Sequence, residues 1–201
     1  MKNSLFVSLF IVLLLLTGCM HQGTQTGSTK KSPAKLTLMQ AIKLAYPDAV
    51  KWDKGATLID AKSVDSDEGI AAFDGTSRSW SITFGIPNTD EAFLVNIHDG
   101  RINAHGEVTD EGAPPLSKGY FITDLSKVKF DSPELLKKAI SATKLYPSDT
   151  WKTGYSFGIS KDSEKDIILI KIIGWDKKRG EVKGLQYNAS TGELYSNTEG
   201  G

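Results

Sequence analysis

The sequence predicts an α+β protein made of two repeats, each a helix packed on an antiparallel β-meander, with the two repeats packed together. Three observations predict this fold. Short motifs recur in the same order about 100 residues apart. A stretch with helical periodicity opens each copy, and stretches of alternating polar and apolar residues follow it. Because each copy has only about 70 residues, it buries a modest fraction of its surface alone, so we expect the copies to touch.

The internal repeat is carried by three pairs of motifs. They are Tyr46-Pro47 with Tyr146-Pro147, the Trp-x-x-Gly groups that begin at Trp52 and Trp151, and 96–100 with 188–192. The offsets are 100, 99 and 92 residues, so the first copy is predicted to hold an insertion, within 63–76. The copies are placed at residues 36–108 and 131–199, and residues 109–130 connect them.

A helix is predicted to open the first copy. Thr37 is a suitable N-cap, and Gln40 lies three residues later, which is the spacing of a capping box. An apolar stripe with helical spacing follows, formed by Leu38, Ala41, Ile42 and Ala45. Pro47 is expected to end this helix nearby, because the residue before a proline is disfavoured in helical conformation.

The helix of the second copy is predicted to begin at Ser132. Ser132 is the expected N-cap, Pro133 suits the first helical position, and Glu134 faces the positive end of the helix. The predicted apolar stripe consists of Leu136, Ala139 and Ile140. Pro147 is expected to end the helix, as Pro47 does in the first copy.

Alternating patterns predict the strands. The apolar positions of the alternating strands are Trp80, Ile82 and Phe84; Phe93, Val95 and Ile97; and Tyr155, Phe157 and Ile159. The run 167–173 is apolar on both faces and predicts a central, covered strand, since an exposed edge of this kind would aggregate. Gly100 and Gly192 suit tight hairpin turns. Residues 127–130 are predicted to add an edge strand.

The N-terminal residues have the layout of a secretion signal. Lys2 is followed by an apolar run from Leu5 to Leu16, which is shorter than the roughly 20 residues of a membrane span. Leu16-Thr17-Gly18-Cys19 resembles the cleavage box of a bacterial lipoprotein signal. The resemblance implies a signal peptide at 1–18, diacylglycerol on the Cys19 sulfur, and a location on the outer side of the cell membrane. The polar residues 19–35 then form a tether with a reach of roughly 20–24 Å.

The order of motifs in each copy resembles the PepSY domain: a helix with Ala-Ile, a Trp-containing strand, and a hairpin ending near Thr-Gly-Glu. The resemblance is carried by Asp131-Ser132-Pro133-Glu134 and by the hairpin 188–194. The first copy departs from the pattern at His98-Asp99. The resemblance implies a non-catalytic exported module of a kind found in the propeptides of thermolysin-like metalloproteases, with a role in restraining or assisting extracytoplasmic peptidases. It implies no catalytic residues.

Residue spacing gives little support for a metal site or a cofactor. His98 and His105 would lie about 17 Å apart along a hairpin, too far to share one ion. His21 lies in the tether. The acidic stretch 65–69 suggests a calcium loop, but Thr76 occupies the position where a bidentate Glu is needed. The acidic stretch 162–166 is interpreted as a hairpin loop. No metal ligand and no cofactor is therefore assigned.

The remaining candidates are aromatic or charged. Trp52, Trp80 and Trp151 are interpreted as core residues, and Trp175 is expected to be the most exposed tryptophan. The chain has 24 basic and 24 acidic residues, and this balance argues against a nucleic-acid-binding protein. The single Cys in the sequence excludes an internal disulfide.

The sequence is therefore interpreted as a lipid-anchored binding or regulatory protein without catalytic activity. Its expected partner is a protein or peptide of the cell envelope, which an exposed edge strand would accept as an added strand. The alternative is a lipoprotein that binds a small ligand or a metal in a pocket between the copies. An enzyme is the third hypothesis and would require a cleft with converging carboxylates.

Overall fold

The computed structural model describes residues 34–64, 72–109, 114–148, 153–176 and 180–199. These residues belong to one compact unit, Ser32–Gly201. Its helices are α1 (Leu38–Trp52) and α2 (Ser132–Thr143). Its strands are β1 (Thr57–Ser63), β2 (Ser79–Gly85), β3 (Glu91–His98), β4 (Arg101–Thr109), β5 (Ser156–Asp162), β6 (Ile167–Trp175), β7 (Val182–Asn188) and β8 (Leu194–Glu199).

All eight strands form one antiparallel sheet with the order β4-β3-β2-β1-β5-β6-β7-β8. The α+β class and the antiparallel pairing are thus confirmed. The strands that follow α1 and those that follow α2 join at the centre of the sheet, where Ala61 of β1 lies opposite Ile159 of β5. The helices therefore pack on a single sheet rather than on two separate ones, and β4 and β8 are its edges.

Helix α1 begins as predicted but ends later than predicted. Thr37 is its N-cap, and the side chain of Gln40 completes the capping box. The helix continues through Pro47 to Trp52, so the expected end at the proline is wrong. Ala49, beyond the proline, is fully buried, and the Trp52 ring stacks on Phe93 with 5.1 Å between centroids. Packing of this last turn offsets the backbone hydrogen bond that Pro47 cannot donate.

The N-cap of helix α2 lies one residue before the predicted one. Its N-cap is Asp131, not Ser132, and Glu134 closes the capping box. The fully buried Ser132 instead connects the two helices: its Oγ donates to the carbonyl of Gly75 at 2.6 Å and accepts from the N–H of Leu38 at 3.0 Å. Asp131 Oδ1 accepts from the N–H of Met39 at 3.1 Å. The residues that begin α2 thus satisfy free N–H groups of α1.

The helix stripes are buried with one exception. Every predicted stripe residue of α1 is fully buried. In α2, Leu135 is buried, whereas Ile140 is 41% exposed, so the prediction for Ile140 is wrong. The first turn of α2 lies against α1 and the Gly75 carbonyl, and this contact sets which face of α2 points inward.

The core lies between the helices and one face of the sheet. The predicted inward residues of β2, β3 and β5 are all buried. In β6, residues 168–170 are buried but Ile167 and Ile173 are only half-buried, so the strand is internal without being covered along its whole length. Gly100 and Gly192 adopt the left-handed conformation, with φ of 70° and 68°, which confirms the predicted hairpin turns.

In its described part, residues 114–130, the connector follows the ends of the strands and does not add one. Its two short 3-10 turns are Lys118–Tyr120 and Leu125–Lys127. Residues 127–130 are therefore not an edge strand; the N–H groups of Lys129 and Phe130 instead both reach the carbonyl of Ala189. Earlier in the connector, the Ile122 N–H donates to Leu58 in β1 at 2.8 Å. The connector is thereby fixed to both halves of the sheet.

Replacing Pro47 with alanine is expected to raise the free energy of unfolding by about 1–2 kcal/mol. A proline inside a helix costs about 3 kcal/mol relative to alanine, and the greater freedom of the unfolded chain offsets part of that gain. Urea unfolding followed by circular dichroism measures the change. Pro114→Ala, in the connector, is the control and should not stabilise the protein; equal effects of the two changes would contradict the expectation.

Candidate functional site

The free edge of β4 is the first candidate interaction surface. This strand pairs with β3 on one side and with no described strand on the other. Its register is regular from Thr109 opposite Glu91 to Ala104 opposite Asn96, and a bulge follows towards the turn. Six consecutive residues therefore form a straight edge whose outward backbone groups are open to an added strand.

Helix α1 supports β4 from the core side of the sheet. The Trp52 indole N–H donates to Glu107 at 2.8 Å, and His105 Nδ1 lies 3.1 Å from the carboxylate of Asp48. A hydrogen bond from Lys51 lowers the pKa of Asp48, and the charges of Lys51 and His105 add to this effect. His105 and Glu107 each use one polar atom in these contacts and turn the remainder of the side chain towards solvent.

The edge strand β8 is the second candidate surface. The Tyr195 hydroxyl donates to Asp162 at 2.6 Å, and the Lys165 ammonium lies 4.9 Å from the Tyr195 ring centroid. The Tyr195 hydrogen bond lowers the pKa of Asp162. Leu194 is 48% exposed. This edge is anchored by side chains of the β5–β6 turn, whereas β4 is anchored by a helix.

A groove lies where the two halves meet. Its volume is about 610 Å³. The lining residues are Met39, Lys43, Leu125, Ser126, Val128, Lys129, Phe130, Asp131 and Glu134. The lining combines apolar side chains with two cationic and two carboxylate side chains, which come from α1, the connector and α2.

A Ser-His-Asp group lies at the β3–β4 turn and was not predicted from the sequence. Ser79 Oγ is 2.9 Å from His98 Nδ1, but His98 Nε2 is 3.6 Å from Asp99. The buried Arg78 instead donates to both carboxylate oxygens of Asp99, and these hydrogen bonds lower the pKa of Asp99. Since Asp99 is held by an arginine and does not orient the histidine, the group fixes the turn and is not arranged as a catalytic triad.

Asp60 and Tyr187 are titratable groups of the sheet whose pKa values are raised. Burial raises the pKa of Asp60, and a 3.2 Å hydrogen bond from Thr83 partly offsets that shift. Burial also raises the pKa of Tyr187, whose hydroxyl has no hydrogen-bond partner in the described part of the chain. Asp60 and Tyr187 lie on opposite faces of the sheet, so they do not form a common site.

The predicted metal candidates do not come together. His98 contacts Ser79 on the face of the sheet away from the helices, whereas His105 contacts Asp48 of α1 on the opposite face. Across the described ranges, no three His, Cys, Asp or Glu side chains are grouped as metal ligands. The stretch 162–166 is a hairpin turn, as interpreted, with Asp162 accepting from Glu164 and Lys165.

The tryptophans divide between core and surface. Trp80 is fully buried, as predicted, while Trp52 is half-buried beside β4. Trp175 is also half-buried, and its backbone pairs with Tyr146. The remaining candidates lie outside the described residues; they are Cys19, His21, Trp151 and the stretch 65–69.

Within the part of the chain that is described, neither helix is long and apolar enough to cross a bilayer.

Comparison with known proteins gives one structural match. A scan against protein-family profiles finds none, and a search of curated proteins finds no relative. A solved structure from Clostridium difficile 630, of a protein provisionally classed as a lipoprotein, resembles this chain with a TM-score of 0.55 at 11% identity. The match covers 83% of this chain and 94% of that one. At this identity the likeness establishes a shared fold.

Proposed function

We propose that this chain is a lipid-anchored protein of the extracytoplasmic side of the cell membrane, where it binds a protein or peptide partner without catalysing a reaction. Leu16-Thr17-Gly18-Cys19 supports the anchor. The shared fold with a protein provisionally classed as a lipoprotein is consistent with it. Two acyl chains on Cys19 would hold the chain at the membrane far more firmly than one.

The observation that carries the binding role is the pair of open edges on a single antiparallel sheet. An extended peptide that pairs with an edge strand gains main-chain hydrogen bonds along its length. The β8 edge suits a foreign partner, because Leu194 offers an exposed apolar contact on this strand. Neither edge requires a reactive side chain, which agrees with a binding role.

The proposal also covers the evolutionary origin of the chain and the class of its binding partner. The element order helix and four strands occurs twice, which supports an internal duplication. The motifs at 131–134 and 188–194 support two PepSY-like repeats. A cell-envelope peptidase is then the proposed class of partner, and the protein would restrain or assist it by occupying an extended segment.

A photoreactive amino acid at Asn197, an exposed position on β8, is expected to give a covalent adduct with an envelope protein in intact cells. Asn197 lies at the free edge, so a paired strand would come within crosslinking distance. The same probe at Lys137, exposed on α2, is the matched control and should give no adduct. Mass spectrometry of the adduct identifies the partner.

Two outcomes of this experiment would count against the proposal. Equal labelling from Asn197 and Lys137 would contradict a role for the edge, and no labelling from Asn197 would contradict a protein partner. The anchor is tested separately by Cys19→Ser, which should release the chain from the membrane fraction. If that variant stays processed and attached, the anchor is wrong while the edge result still stands.

A second candidate function is favoured by the groove of about 610 Å³ between the halves. Lys43 and Lys129 in its lining would suit an anionic group, and Leu125 and Phe130 an apolar one. A compound that raises the melting temperature of the protein, and no longer does so in Lys43→Ala, would support this candidate. The Asn197 crosslink would then be absent.

A further inference from the structure

We propose that the β4 edge binds a second copy of this chain, so that two sheets join about a two-fold axis at Gly106 into one continuous antiparallel sheet. This inference goes beyond the proposed function, and it leaves β8 as the edge available to a foreign partner. It rests on three properties of residues 104–109: the direction of their backbone groups, their charge pattern, and the open space at Gly106.

The backbone directions follow from the hydrogen bonds of β3. The carbonyl of Glu91 accepts from Ile86, on the β2 side of the strand. The direction of the backbone N–H and C=O groups alternates along a strand, so those of Phe93 and Val95 also face β2. The β4 residues opposite Glu91, Phe93 and Val95 therefore have backbone groups that face away from β3. Those residues are Thr109, Glu107 and His105. Their N–H and C=O groups therefore face the open edge, ready to pair with an added strand.

The side chains of β4 select one antiparallel register. Outward-facing residues must pair with outward-facing residues, which permits a two-fold axis at any residue of the strand. Axes at 106 and 107 pair five of the six residues of the straight segment, and axes at other residues pair three or fewer. An axis at 107 would place two Glu107 side chains opposite each other, and an axis at 105 would do the same with two His105 side chains. The axis at Gly106 places His105 opposite the Glu107 of the second copy, twice. An imidazole N–H can donate a hydrogen bond to a carboxylate across the ladder, whereas two carboxylates directly opposite each other destabilise it.

The side chains on both faces are compatible with this register. On the core side, Glu107 Oε1 is engaged by Trp52 and His105 Nδ1 by Asp48, so Oε2 and Nε2 are the atoms left to contact the second copy. On the other face, Ala104 would lie opposite Val108, which is 46% exposed. A Cβ added at Gly106 would meet no atom within 4 Å, which leaves room for a close approach at the axis.

The first test uses proline at each edge of the sheet. Glu107→Pro removes an outward N–H without touching the β3 ladder, so the monomer should remain folded. Asn197→Pro is the matched control, because it also removes an outward N–H. The backbone N–H of Ala189 donates to β6, and by alternation the backbone groups of Leu185 also face β6. Asn197 lies opposite Leu185, so its own backbone groups face outward from β8. Sedimentation of the full chain in detergent micelles is expected to show a concentration-dependent dimer for wild type and Asn197→Pro. Glu107→Pro should weaken that dimer at least about tenfold.

The second test reports the register. Two residues opposite each other in a non-hydrogen-bonded pair have Cβ atoms about 4.5–5.5 Å apart, within reach of a disulfide after a small shift. With Cys19→Ser removing the native thiol, Gly106→Cys should form a disulfide-linked dimer under mild oxidation. Asn103→Cys, on the same strand, should not, because its own copy lies far from it in this register.

Each result has a definite meaning. A chain that is monomeric at all accessible concentrations, or a dimer lost in Asn197→Pro but kept in Glu107→Pro, would overturn the inference. A dimer that crosslinks through Asn103→Cys and not through Gly106→Cys would overturn the register. None of these outcomes affects a foreign partner captured at Asn197, so the proposed function is tested independently.

Discussion

Replacing Gly75 with alanine is expected to lower the free energy of unfolding by about 3 kcal/mol or more. Gly75 has a φ of 87°, and a Cβ there would lie 2.6 Å from the backbone nitrogen of Pro133. The position of a Cβ is fixed by its own backbone and the Pro133 nitrogen is a backbone atom, so neither can rotate away. The displacement would break the hydrogen bond from Ser132 to the Gly75 carbonyl and separate the starts of α1 and α2.

Urea unfolding followed by tryptophan fluorescence measures this loss. Gly180→Ala is the matched control, because a Cβ at Gly180 meets no atom within 4 Å. That variant should stay within about 0.5 kcal/mol of wild type. If Gly75→Ala is equally harmless, the close approach between residue 75 and the first turn of α2 does not exist in solution.

Phe157→Ala is expected to cost about 3–5 kcal/mol, the range for truncating a buried phenylalanine. Phe157 is 1% exposed, lies on β5, and its ring centroid is 6.5 Å from that of Trp80 on β2. The side chain therefore belongs to the core of both halves. Because the core is shared, we expect one cooperative transition that moves as a whole to lower temperature.

Calorimetry of the variant and of wild type distinguishes a shared core from two independent ones. Phe73→Ala is the control, since Phe73 is 54% exposed, and it should shift the transition little. Two separate transitions in Phe157→Ala, with only one of them displaced, would show that the halves unfold independently. That outcome would contradict the single core.

Local signals in the sequence predicted the secondary structure well wherever short-range chemistry decides it. The capping box at Thr37 and Gln40, the strand around Trp80 and the left-handed glycines at the hairpins all occur as predicted. Pro47 shows the limit of this reasoning. Its local cost is outweighed by Ala49 and Trp52, whose burial depends on strands far along the chain.

Long-range contacts could not be predicted from the sequence. The pairing of Ala61 with Ile159 joins residues almost a hundred positions apart, and no local pattern indicates it. The same holds for Ser132, whose pattern suggested an N-cap but whose hydroxyl serves the other helix. The β4 surface was missed because His105 and Glu107 become neighbours of α1 only through the sheet register.

The meeting of the two helix starts constrains how the polypeptide can fold while it is being made. The amides of Leu38 and Met39 find their acceptors on Ser132 and Asp131, residues synthesised more than ninety positions later. An emerging N-terminal half would keep those amides hydrated until the later residues arrive. The order of synthesis therefore favours a late, concerted closure of the molecule over completion of one half before the other.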